Sequence, residues 1–65
     1  MASWSFTHDG RTIDAEKLAS VAQDTDRVGG VLGPDVAEGL ADSPEETFDS
    51  LPNPHKLIIM NMAGA

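Results

Sequence analysis

Few side chains in this sequence could do chemistry, and they are scattered. His8 stands beside Asp9 and His55 beside Lys56, and these are the two imidazoles of the chain. Acid–base catalysis needs such groups to converge in one water-excluding pocket. Instead, His8 precedes Asp9-Gly10, a dipeptide suited to a tight turn, and His55 follows Pro52-Asn53-Pro54. Both read as polar residues of turns or links. No HxxxH, HxH or His–carboxylate cluster is present, so no metal site is expected. The lack of cysteine excludes disulfides and thiolate ligands. Gly29-Gly30-Val31-Leu32-Gly33 has the glycine density of a phosphate-cradling loop but not its Lys-Ser/Thr pair or preceding strand. It reads as a helix-ending linker. The chain is expected to be no enzyme and to bind no cofactor of its own.

What must be positioned is therefore a segment rather than a catalytic residue. His55 to Ala65 contains the longest run of large apolar side chains, Leu57-Ile58-Ile59-Met60, followed by Asn61-Met62. In a strand, Leu57, Ile59 and Asn61 share one face, and Ile58, Met60 and Met62 share the other. Nearly every position on both faces is then apolar, and such a strand wants cover on both sides. A chain of 65 residues can cover one side at best. The tail either pairs with an N-terminal strand as the core of a tiny α+β fold, or enters another protein's sheet edge, groove or active site. The second is expected, with residues 52–65 as a Pro-linked extended tail.

Residues 1–51 read as a small helical recognition domain. Met1-Ala2-Ser3 reads as a frayed start. Trp4-Ser5-Phe6-Thr7 alternates aromatic and hydroxyl residues, Asp9-Gly10 turns, and Arg11-Thr12-Ile13 returns, which predicts a short β-hairpin laid on the first helix. That helix is predicted over 14–28, capped by Thr12 or Asp14 and ended by Gly29-Gly30. Pro34 fits the first position of a second helix running to about Ala41, in which Gly39 costs ~1 kcal/mol relative to Ala. Ser43-Pro44-Glu45-Glu46 predicts a third, with Ser43 and Glu46 as a capping box. It carries Phe48 and Leu51 on one face and must stop at Pro52. The fold class expected is a small α-rich α+β domain: an N-terminal hairpin, two to three short helices and an extended apolar C-terminal segment.

Charge narrows the partners. Residues 35–49 hold six acids, Asp35, Glu38, Asp42, Glu45, Glu46 and Asp49, and no base, within a formal charge of −7. Nucleic acid is disfavoured, because phosphate contacts need Lys and Arg. An acidic stretch steers instead toward a basic protein surface, besides keeping a small protein in solution. A basic leader followed by an apolar stretch is missing, and so is an apolar run of ~18–20 residues. No membrane span is expected, and a cytoplasmic location is. So small a core is marginally stable alone, which again points to a protein partner.

The acidic helical part, the prolines and the aliphatic Leu57-Ile58-Ile59-Met60-Asn61-Met62-Ala63-Gly64-Ala65 together resemble the precursor of a ribosomally synthesised, modified peptide. The tail is most similar to the cores of bacterial split borosins. The resemblance implies that the helical part docks on a separate methyltransferase. That enzyme carries S-adenosylmethionine and methylates backbone amides of the tail, with Leu57, Ile58, Ile59, Met60, Asn61 and Met62 as the modified segment. Such chemistry needs an extended strand whose amide nitrogen is free of any ladder and held against the methyl donor. The alternative is an acidic inhibitor, antitoxin or small subunit that binds a basic partner surface and anchors through the apolar tail. In either case Asp35, Glu38, Glu45, Glu46, Phe48 and Leu51 are the partner-binding candidates.

Overall fold

The computed structural model describes residues 4–64, and the expected frayed start, Met1-Ala2-Ser3, lies outside them, as does Ala65. The hairpin forms where the turn chemistry puts it. Strands β1 (Ser5–His8) and β2 (Arg11–Asp14) pair antiparallel, with Phe6 opposite Ile13 and His8 opposite Arg11. Asp9 and Gly10 both take positive φ, 52° and 78°, the requirement of a two-residue turn that follows the strand twist. Across the non-core face the Thr7 and Thr12 hydroxyls lie 2.9 Å apart and bond one another.

Five helices follow among the described residues: α1 (Ala15–Gln23), α2 (Thr25–Leu32), α3 (Pro34–Asp42), α4 (Pro44–Ser50) and α5 (Asn53–Met62). The chain is a small α-rich α+β domain, as expected. Asp14 caps α1 by accepting from the Lys17 amide at 2.8 Å. The single first helix expected over 14–28 is in fact two. It breaks at Asp24, whose backbone leaves the helical region and whose amide bonds back to the Val21 carbonyl. Gly29-Gly30 does not end it either. The glycines lie inside α2, and the stop comes at Gly33, where φ is 99°. A Cβ on Gly29 would meet Ala37 of α3 at an ordinary van der Waals distance, 3.7 Å, so the packing does not demand glycine there. The expected capping box at α4 is also absent. Ser43 stands at the N-cap but its hydroxyl donates to Asp42, and Pro44 alone supplies the start.

The C-terminal segment expected to be extended over 52–65 does not run extended over its described residues, 52–64. Pro52 sets the entry, the Lys56 amide bonds the Pro52 carbonyl, and Asn53 to Met62 are helical. Ile59 and Met60 are completely buried, in one core with Ile13, Leu18, Val28, Leu40 and Phe48. The radius of gyration, 10.6 Å, agrees with the ~11 Å of a compact domain of this length. An apolar run that a sheet would have to sandwich is accommodated by a helix that turns two of its residues inward and half-covers Leu57, Ile58 and Met62.

The hairpin also finds a different support from the one expected. Trp4 and Phe6 lie edge-on to Phe48 of α4, with ring centroids 5.2 and 5.3 Å apart, rather than on α1 alone. Lys56 of α5 closes the cluster with its ammonium 5.1 Å from the centre of the Phe6 ring. Arg11 donates to the Asn61 side chain at 2.7 Å, a second tie between hairpin and α5.

Gly39 is the tightest point between α3 and α4. A Cβ there would lie 3.0 Å from the Thr47 methyl and 3.1 Å from its hydroxyl. That hydroxyl cannot swing away freely, because it donates to the Gly39 carbonyl at 2.8 Å. Alanine at Gly39 regains ~1 kcal/mol of helix propensity. It gives up that hydrogen bond, about 1 kcal/mol, and adds overpacking of about 1–3 kcal/mol. The net loss of about 1–3 kcal/mol should lower the melting temperature of Gly39→Ala by about 4–24 °C. Gly30→Ala, whose new methyl meets open space, should instead raise stability by about 0.5–1 kcal/mol. Thermal melts of the two variants side by side check both signs.

Candidate functional site

The six acids of residues 35–49 fall on two consecutive helices and all are exposed. On α3, Asp35, Glu38 and Asp42 follow at spacings of three and four, so they form one edge. On α4, Glu45 and Glu46 sit in the first turn, where they also suit the helix macrodipole, and Asp49 lies one turn on from Glu45. Asp49 is within 3.4 Å of the Trp4 indole nitrogen. Asp42 accepts from Ser43. None of the six is paired with a Lys or Arg among the described residues. Gly39 packs against Thr47, whose hydroxyl bonds the Gly39 carbonyl, so the two sets of charge lie on a packed pair of helices. The surface is anionic and unneutralised.

Of the six residues expected to bind a partner, the structure leaves Asp35, Glu38, Glu45 and Glu46 on this surface. Phe48 is not there. It is fully buried as the ring on which Trp4 and Phe6 stack, and Leu51 is half-buried against the core. The helical period explains the split: in a seven-residue helix the one large apolar side chain turns to the core and the acids take the outer arc.

The expected modified segment is distributed differently. Leu57, Ile58 and Met62 are half-buried, Ile59 and Met60 are fully buried, and Asn61 is exposed and holds Arg11. Their amides belong to a helix, whose ladder closes with the Ala63 amide on the Ile59 carbonyl. While α5 is formed, these amides are engaged in the helix rather than held in an extended strand. Val31, at 56% exposure, is the one large apolar side chain that stands out into solvent among the described residues.

The histidines stay apart. His8 flanks the hairpin turn, 3.4 Å from the Asp9 carboxylate, and His55 lies in the first turn of α5 with its Nδ1 enclosed and unpartnered. Among the described residues no three His, Asp or Glu side chains gather as a metal would require. No helix of the described residues is long and apolar enough to cross a membrane. The chain matches no family model, no curated protein and no solved structure.

Proposed function

We propose that this chain is a cytoplasmic protein-recognition module that docks its acidic α3–α4 surface on a basic surface of a partner protein. The observation that carries the reading is the set of six exposed carboxylates on two packed helices, without a single Lys or Arg partner among the described residues. Charge left unneutralised on one surface repels itself in the free protein. A basic partner relieves that repulsion and is drawn in at long range. The tail supplies no apolar anchor in this reading, because α5 turns Ile59 and Met60 inward.

The rival reading, a precursor whose residues 57–62 are methylated on the backbone, requires α5 to leave the core first. Exposing Ile59 and Met60 costs about 1.5–3 kcal/mol each. A modifying enzyme would have to supply that energy as well as hold the amide. Intact and fragment mass spectrometry of the chain, produced alone and beside its neighbouring genes, separates the two readings. A recognition module keeps its mass and co-purifies with a partner. Methyl increments on Leu57–Met62 would establish the precursor instead.

With that partner in hand, the quadruple variant Asp35→Asn, Glu38→Gln, Glu45→Gln, Glu46→Gln should associate about tenfold more slowly at low salt. Its rate should also lose most of its dependence on ionic strength. Folding should be little changed, since all four side chains are exposed. Stopped-flow association rates across a salt series make the measurement. An unchanged rate and slope would remove the α3–α4 surface from the interface.

A further inference from the structure

We propose that the cleft between α1 and the end of α5 binds a free α-amino acid with an apolar side chain. The cleft holds about 210 Å³ and is lined by Lys17, Ser20, Val21, Asp24, Arg27, Met62 and Ala63. The first four recur at three- and four-residue spacing along one face of α1 and its cap, and Arg27 continues that line into α2. Two of the four cations in this acidic chain therefore face one small cleft.

The charges lining it are unspent. Lys17 contributes its backbone amide to the Asp14 cap, but its ammonium has no partner among the described residues. The Arg27 guanidinium has none either. Asp24 occupies the N-cap of α2, where a carboxylate normally accepts from the first-turn amides, yet its side chain makes no cap bond. Two cations and one anion thus line the same cleft without pairing with one another.

That set fits a zwitterion. Lys17 and Arg27 would take a carboxylate in charge-assisted hydrogen bonds, with Asp24 and the Ser20 hydroxyl receiving an ammonium. Val21, Met62 and Ala63 leave an apolar wall for the side chain. A plain anion is the poorer match, because it must approach a molecule of net charge −7 with Asp24 at the site. The volume lies below the ~300–1,000 Å³ of pockets for drug-sized ligands, which suits a molecule of amino-acid size.

The test is an NMR titration of the isotopically labelled full chain with L-leucine as the probe. Saturable shifts are expected at the Ser20, Val21 and Ala63 amides. Leucinamide, which lacks the carboxylate, and isovalerate, which lacks the ammonium, should each bind about tenfold more weakly. The double variant Lys17→Gln, Arg27→Gln should abolish the response. Asp24→Asn should weaken leucine while leaving isovalerate no weaker than before. All three positions are exposed, so these variants retain the fold. Absence of a saturable response, equal binding of leucinamide, or unaltered binding by the double variant would each overturn the proposal.

Discussion

Phe48→Ala should leave the protein unfolded at room temperature. The side chain is completely buried, and it is the surface on which Trp4 and Phe6 stand edge-on. Removing a buried phenylalanine costs about 3–5 kcal/mol through lost burial and the cavity left behind. Each edge-to-face pair adds about 0.5–1.5 kcal/mol. Lys56, whose ammonium lies 5.8 Å from the Phe48 ring centre, loses a further contact. A core of this size rarely supplies more than about 3–5 kcal/mol in total, so the loss matches or exceeds what is available. The loss also removes the platform under the hairpin, and a two-stranded hairpin is marginal without one. The expected circular dichroism is that of an unfolded chain, with no cooperative melt. Phe48→Leu, which keeps most of the volume, should still melt cooperatively at a lower temperature. A Phe48→Ala variant that melts only a few degrees below the parent would show that the hairpin and α4 are not one packed unit.

A chain ending at Pro52 should likewise fail to fold. It lacks α5, and with it Ile59 and Met60, the Arg11–Asn61 hydrogen bond and the Lys56 lid on Phe6. The two buried side chains alone are worth about 1.5–3 kcal/mol each. Their removal also opens the one core that they share with Leu18, Val21 and Ile13. The outcome distinguishes two designs. A recognition domain made of residues 1–51 with a separable tail keeps its helicity and cooperative melt after the cut. A single core spanning both parts loses them. Far-UV circular dichroism and a urea titration of the truncated chain decide it.

What could be read from the residues was what local chemistry decides. Asp9-Gly10 places the hairpin turn, Asp14 caps the first helix, and Pro34 and Pro44 open α3 and α4 at their first positions. What could not be read depended on contacts made across the fold. The glycines of α2 look like a helix stop, but the helix runs through Gly29 and Gly30, and of the three glycines in 29–33 only Gly33 takes positive φ. The tail misled for a related reason. Leu57-Ile58-Ile59-Met60 is rich in strand-favouring side chains and apolar at every position, so neither period shows in it. One signal was present: Asn53-Pro54 repeats the helix-opening proline of Pro34 and Pro44, and Lys56, Ile59, Met60 and Ala63 then follow at helical spacing.

For the acidic surface the position is reversed. Composition alone located the charge, and the helical period explains why Asp35, Glu38, Glu45 and Glu46 stay outside while Phe48 does not. The cleft beside α1 had no counterpart in the sequence reading. Helical spacing lines up Lys17, Asp24 and Arg27, but the cleft they line exists because α5 brings Met62 and Ala63 against α1.

Amide hydrogen exchange at Leu57 to Met62 in the free protein is the most direct test of whether this segment belongs to the core or is held out for another protein. A core helix predicts that the Ile59, Met60 and Ala63 amides are protected to the same free energy as the Leu18 and Val21 amides of α1, opening only with global unfolding. Exchange of the 57–62 amides at the rate of an unstructured peptide, with α1 still protected, would contradict it. The tail would then be free to serve as a substrate, and the recognition surface would have to be sought there.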